Sequence, residues 1–103
     1  MAHKQDYLRK LRGIGHELKP ILQLGQRGLT DSVVEEIHRA LNDHELIKIR
    51  LTGVERDEKK ELLSTLESRL NASVIHAVGH MALLLRPNPE AKPKLSNLKR
   101  HGL

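Results

Sequence analysis

The chain has 103 residues, a formal net charge of +5 and no cysteine. These values favour one small domain and exclude disulfides and thiolate metal sites. Tyr7 is the only aromatic residue, so the core must be aliphatic. No apolar run is long enough to cross a bilayer, and the first residues lack a secretory signal, so we expect a cytoplasmic protein without a membrane partner.

The charge is unevenly distributed along the chain. Residues 1–28 contain six Lys/Arg against two Asp/Glu, residues 29–72 seven against ten, and residues 73–103 five against one. Two basic ends and an acidic middle create a directional field, which favours an anionic partner on one side of the molecule. The alternative is that both ends are solvated tails without a partner.

A first helix is predicted over about residues 4–18. Its apolar residues recur at steps of one, three, three and four and form one stripe: Tyr7, Leu8, Leu11, Ile14 and Leu18. Arg9, Lys10 and Arg12 fall mostly off this stripe. The helix is therefore amphipathic with a basic face, and Pro20 ends it.

A strand, a helix and a second strand follow. The run Ile21–Leu24 lies between a proline and a glycine, which is typical of a short buried strand. Thr30 or Ser32 can cap a helix that ends near Asn42. In the segment ELIKIRL the residues alternate between two strand faces: Ile47, Ile49 and Leu51 toward the core, and Leu46, Lys48 and Arg50 on the other side.

The last third contains a helix, a hairpin and a basic segment. The charged helix runs to about Leu70, with Asn71 as its C-terminal cap. Gly79-His80 joins the strand-like runs SVIHAV and MALLLR, a two-residue hairpin signal. Residues 87–103 hold three prolines and four Lys/Arg without a visible core face. We therefore expect one domain over residues 1–86 and a mobile basic tail over residues 87–103.

The order α-β-α-β-α-β-β predicts an α/β fold of the two-layer α+β type. The strand, helix and strand between Ile21 and Leu51 should give two parallel strands with a right-handed crossover, and the final hairpin is antiparallel. The expected result is a mixed four-stranded sheet with three helices.

The sequence shows no catalytic constellation and no metal motif. Among the seven histidines, His76 and His80 fall on a strand and its turn, and His38 and His44 straddle a helix end. Neither pair has the spacing or companions of a zinc site. We expect no enzymatic activity, no metal and no cofactor.

The segment Gly25-Gln26-Arg27-Gly28 is a G-x-x-G motif, which is weak by itself. Its position between a strand and a helix N-terminus gives it meaning, because free N–H groups and the helix dipole favour an anion there. Glycines allow a phosphate backbone to approach closely, as in KH modules, and Arg27 carries a fork of donors. The alternative is that the glycines only supply turn conformations with positive φ.

Several ordered motifs resemble one known family: LRKL and LKP before the strand, the GxxG loop followed by Leu-Thr, then ELIKI, VGH and RPNP. Over about residues 4–90 the chain resembles the CRM domain (chloroplast RNA splicing and ribosome maturation), and more closely its small bacterial YhbY-like members. The resemblance implies the same fold and RNA binding. Bacterial members associate with precursors of the large ribosomal subunit, and plant relatives assist group II intron splicing. The RNA-binding residues expected here are Gly25, Gln26, Arg27, Gly28, Lys4, Arg9, Lys10, Arg12 and Lys19.

We therefore expect a monomeric RNA-binding protein that assists large-subunit assembly, with rRNA and ribosomal proteins as partners. Structured RNA is favoured, because the chain lacks an aromatic platform for stacking bases. The alternatives are a general RNA chaperone, a splicing-type or translation-associated factor, and a protein adaptor that uses the acidic helices. Two departures stand out: Gly13 and Gly15 replace better helix formers, which questions the regularity of the first helix, and Leu85 replaces a common aromatic residue.

Overall fold

A computed structural model describes the backbone of residues 2–25 and 28–103 and the side chains of residues 5–25 and 28–103. Three helices and four strands lie in the predicted order: α1 Ala2–Glu17, β1 Pro20–Leu24, α2 Asp31–His44, β2 Leu46–Leu51, α3 Arg56–Leu70, β3 Ser73–Val78 and β4 Met81–Leu85. A short 3-10 helix, Lys99–His101, follows. The α+β prediction is confirmed, and none of the described helices is long and apolar enough to span a membrane.

The four strands form one sheet in the order β1-β2-β4-β3. β1 and β2 are parallel, and the other neighbours are antiparallel. Val78 pairs with Met81, and Gly79 has a φ of 58°, as the predicted two-residue turn requires. This topology brings the carboxyl ends of β1, β2 and β3 and the hairpin turn to one end of the sheet, which we call the loop end.

The alternation predicted in β2 separates two cores. Ile47, Ile49 and Leu51 pack against α2 and α3 in the larger cluster. Leu46 points the other way and packs with Leu83 under α1 in a second cluster. Each fully buried aliphatic side chain contributes about 1.5–3 kcal/mol. Because α1 covers part of the sheet face opposite α2 and α3, it adds a partial third layer to the two layers that were predicted.

Local signals define the ends of α2 and α3. Of the two predicted caps of α2, the structure uses Thr30, whose Oγ1 accepts a hydrogen bond from the Val33 N–H at 3.2 Å. Asn71 ends α3 in the left-handed conformation, with φ 50° and ψ 46°. Its N–H donates to the Glu67 carbonyl, so the predicted C-cap is confirmed.

α1 continues through both of its glycines as one helix. A Cβ at Gly15 would lie 2.5 Å from one Cδ of Leu83, whereas a Cβ at Gly13 would meet no atom within 4 Å. Gly15 therefore permits a close approach of α1 to β4. Arg12, whose direction the two glycines put in question, lies on a regular helix and is exposed.

The prediction that residues 87–103 lack a core face is wrong. Ser96 is 0% exposed and Leu98 is 4% exposed, and Leu98 belongs to the cluster under α1. Asn97 is also buried, and its Nδ2 donates to the carbonyl of Leu46 at 2.6 Å. Polar side chains whose groups bond to the backbone can be buried without the apolar pattern that marks a core segment.

Glu45 is the centre of this attachment. It is 3% exposed and adopts a φ of 63° between α2 and β2. Its Oε2 accepts from the Ser96 hydroxyl, its Oε1 from the Asn88 N–H, and its carbonyl from the Arg86 N–H at 2.8 Å. A buried carboxylate requires such donors, so the C-terminal segment supplies part of the folded state.

Arg86 joins the ends of two helices. Its Nη1 donates to the Leu70 carbonyl, and its Nη2 donates to the His38 carbonyl and to Asn42 Oδ1, each at 2.9 Å. Partial burial lowers the pKa of the Arg86 guanidinium from its ordinary value, but arginine stays protonated in proteins. The cation complements the negative end of the α3 dipole at Leu70.

Candidate nucleic-acid interface

The predicted loop connects β1 to the N-terminus of α2 at the loop end. The Gly28 N–H donates to the Gly25 carbonyl at 3.1 Å and closes a tight turn. Gln26 and Arg27 lie outside the described residues, so the structure defines the frame of the loop and leaves their roles as predictions. Both glycines are partly exposed.

The two glycines of the loop differ in conformation. Gly28 has a φ of 67° and needs the freedom of glycine, whereas the φ of Gly25 lies outside the left-handed region. A Cβ at either position would meet no atom of the described residues within 4 Å. Turn geometry therefore accounts for Gly28 but not for Gly25. A small residue at Gly25 suits the close approach of an external group.

Acidic residues lie on one side of this loop. A depression beside it is lined by both glycines, by Gly53, and by Glu55 and Glu58 at the start of α3. The side of the loop that faces the start of α3 is therefore acidic. A carboxylate and a phosphate both carry negative charge, so they repel each other at close range.

The basic residues of α1 do not share one surface. Arg9, Lys10 and Arg12 are all exposed, and Arg9 and Arg12 are three apart and follow one flank of the helix. Lys10 lies around the helix, where it lines another depression with Glu17 and His101. The Lys4 backbone belongs to α1, but its side chain lies outside the described residues.

Lys19 is separated from the loop along the chain direction. It is exposed and directly precedes β1, whereas the loop follows that strand. At a rise of about 3.3 Å per residue, the six steps from Lys19 to Gly25 span about 20 Å. Lys19 and the loop therefore do not form one compact site.

Two basic residues of β2, Lys48 and Arg50, were not among the RNA-binding residues predicted from the sequence. Lys48 lies beside Arg12, His16 and His76 around a hollow under the flank of α1, and alternation along β2 places Arg50 on the same sheet face. The signal was present in ELIKIRL, because an internal strand that alternates Ile with Lys and Arg has one charged face. Within the described residues no group of three or more His, Asp or Glu could hold a metal ion.

Comparison with known proteins identifies the family. Residues 4–86 match the model of the CRS1 / YhbY (CRM) domain. The chain belongs to the CRM family. This match confirms the resemblance read from the motifs. The matched range includes every described residue of the loop, and Arg9 and Arg12 of α1. The C-terminal attachment formed by residues 87–103 lies beyond the matched range.

Relatives are found in bacteria and plants. A Pseudomonas aeruginosa protein named "Probable RNA-binding protein PA4753" is 43% identical over 100 residues, which are 97% of this chain and 96% of that protein. A Haemophilus influenzae "RNA-binding protein" is 40% identical over 82% of this chain and 86% of its own length. The rice "CRS2-associated factor 2, chloroplastic" is 36% identical over 71% of this chain, which corresponds to 12% of that larger protein.

A solved structure shares the fold. The solution structure of SAV1595 from Staphylococcus aureus superposes with a TM-score of 0.71 at 32% sequence identity. The match covers 82% of this chain and 88% of the other. The mixed sheet with three helices is therefore the architecture of both proteins.

Proposed function

We propose that this CRM protein binds structured RNA through its phosphate backbone and has no enzymatic activity. The observation that carries the proposal is Gly25, which packing among the described residues does not require, beside a helix N-terminus at the end of the sheet. Free N–H groups at such a terminus bind phosphate. The names of the P. aeruginosa and H. influenzae relatives support RNA as the partner.

The binding mechanism has two parts. An RNA backbone passes close to Gly25 and Gly28, where no Cβ intervenes, and Arg27 contacts its phosphates. Arg9 and Arg12, on one flank of α1, extend the contact along the same RNA. Each neutralised phosphate releases counterions, so the affinity falls steeply with salt concentration.

The cellular role proposed is assistance to large ribosomal subunit assembly in the cytoplasm. It rests on the resemblance to the bacterial stand-alone CRM proteins. The partners are large-subunit rRNA in precursor particles and neighbouring ribosomal proteins, and the protein acts as a monomer. Backbone recognition suits folded rRNA, because its phosphates are held in fixed positions.

The loop is tested by Gly25→Ala and Arg27→Glu, with Gly13→Ala as the control on the exposed side of α1. A Cβ at Gly25 would meet no atom of the described residues within 4 Å, so Gly25→Ala should fold like the parent yet bind an rRNA fragment about tenfold more weakly. Arg27→Glu should also reduce the slope of log affinity against log salt by about one or more. Parent-like affinity in both folded variants would refute the loop mechanism.

The assembly role is tested by fractionating cell extracts on sucrose gradients. The protein should sediment with precursors of the large subunit and leave those fractions after nuclease treatment. Association with small-subunit particles would favour a translation-associated factor. Retention of protein partners after complete digestion of the RNA would favour an adaptor.

A further inference from the structure

A hollow of about 250 Å³ lies between α1 and the sheet, toward the loop end. Four side chains that can carry positive charge surround it: Arg12 and His16 from α1, Lys48 from β2 and His76 from β3. Met81 and Leu83 of β4 form an apolar floor. The hollow is distinct from the depression beside the glycine loop, which contains two glutamates.

The packing of α1 explains why this space is open. Gly15 brings the helix down onto Leu83, and the buried stripe of α1 covers the end of the sheet that holds Leu46 and Leu85. Toward the loop end the same face has less cover, and Val78 is 59% exposed. An apolar surface is left beside Arg12, Lys48 and two histidines.

The chemistry of this hollow fits one kind of occupant. Within the described part of the chain its lining contains no carboxylate, and none of its four basic side chains forms a salt bridge. The volume falls just below the roughly 300 Å³ at which drug-sized ligand pockets begin, which suits one planar ring system. Arginine and histidine planes stack on nucleobases as aromatic rings do.

We propose that the hollow receives the base of a single unpaired nucleotide while Arg12 and Lys48 hold the adjoining phosphates. The inference rests on the proposed RNA binding and adds a base contact to it. Met81 and Leu83 supply the apolar floor, and His16 and His76 supply planar faces. The absence of Phe and Trp therefore does not prevent this chain from recognising an unpaired base within structured RNA.

The test compares three RNA hairpins that share the same paired stem. The first is fully paired, the second has one bulged uridine, and the third has an abasic nucleotide in place of that uridine. The charge of the last two is identical, so their affinity ratio measures the base alone. The parent should prefer the uridine bulge over the abasic bulge about fivefold, the low end of the effect of stacking one base. His76→Ala and Met81→Asp should bring this ratio close to one.

Two further variants separate this site from the loop. Gly25→Ala should weaken the binding of both bulged hairpins by the same factor and leave their ratio unchanged. His80→Ala removes a histidine that does not line the hollow and should also preserve the ratio. A loss of the ratio in His80→Ala equal to that in His76→Ala would overturn the assignment of the base to the hollow.

Failure of the inference and failure of the proposed function give different results. If the parent binds no hairpin, RNA binding itself is wrong. If it binds the uridine and abasic bulges equally well, only the base site is wrong. A photoreactive thiouridine in the bulge should crosslink to peptides that contain His76 or Met81, and a crosslink confined to residues 25–28 would also overturn the proposal.

Discussion

Two glycines in α1 should respond in opposite ways to the same substitution. Gly13→Ala and Gly15→Ala both replace a helical glycine, so both gain about 1 kcal/mol of helix propensity. At Gly13 the new Cβ meets nothing within 4 Å. At Gly15 it would lie 2.5 and 2.7 Å from the two Cδ atoms of Leu83 and 3.1 Å from its Cγ. Only the second change therefore disturbs the core.

The magnitude follows from these contacts. Overpacking a well-filled core costs about 1–3 kcal/mol, and Leu83 is held by the cluster under α1. For Gly15→Ala, the overpacking cost exceeds the gain in helix propensity, so the free energy of unfolding should fall by about 1 kcal/mol. For Gly13→Ala, it should rise by about 0.5–1 kcal/mol. For a domain of this size, each kcal/mol shifts the melting temperature by about 4–8 °C.

Thermal and urea unfolding, followed by circular dichroism, measure both variants. A double variant tests the cause, because Leu83→Ala removes the atoms that overlap. In that background Gly15→Ala should become stabilising, and the coupling between the two positions should be about 1–3 kcal/mol. If Gly15→Ala stabilises the parent protein as much as Gly13→Ala does, the close approach of α1 to β4 is refuted.

Three other changes test the packing of the C-terminal segment and the charge around the loop. Leu98→Ala should lower the free energy of unfolding by about 2–5 kcal/mol, because it opens a cavity under α1; a loss below 0.5 kcal/mol in urea unfolding (roughly the value for a surface position) would contradict the observed packing. Arg86→Lys should cost about 2 kcal/mol, since one amino group cannot reach the carbonyls of both helices; parent-like unfolding would refute this. Replacing Glu55 and Glu58 together by Gln should tighten RNA binding about twofold at low salt by removing repulsion beside the loop, and an unchanged affinity in salt titrations would count against phosphate there.

The elements of the fold could be predicted because their signals are local. The alternation of β2 assigns each side chain from Leu46 to Leu51 to a face, and the structure keeps that assignment. Asn71 ends α3 in a conformation that asparagine tolerates better than most residues. The choice between Thr30 and Ser32 as the cap of α2 required the structure, since both positions can offer a hydroxyl to the first turn.

The C-terminal segment could not be predicted, because its burial depends on distant partners. Ser96 is buried, and its hydroxyl donates a hydrogen bond to the carboxylate of Glu45, 51 positions earlier in the chain. Leu98 is one apolar residue among polar neighbours and creates no periodic pattern. Lys99 counts as a solvated charge in the sequence, yet its Nζ donates to the carbonyls of Asn88 and Pro89 at 3.1 and 2.9 Å and to a third carbonyl nearby.

The candidate interface was predicted only in part. The loop followed from its motif and its position between a strand and a helix, and Gln26 and Arg27 remain predictions. The hollow draws its basic side chains from three elements that are distant in sequence. No spacing within one segment marks such a site, because the packing of α1 at Gly15 creates it.

Basic and acidic residues that are close together in the sequence lie on opposite faces of the sheet. The acidic middle of the chain contains Lys48 and Arg50, and strand alternation places both on the face of α1, away from the carboxylates of α2 and α3. That face therefore holds the cationic hollow, while Glu55 and Glu58 border the loop on the opposite side. Gly25 lines the depression that contains these glutamates, so in the proposed mechanism an RNA backbone at Gly25 should be attracted by the α1 face and repelled by the start of α3. We therefore expect the alternation of β2 to determine the direction in which the proposed RNA crosses the protein.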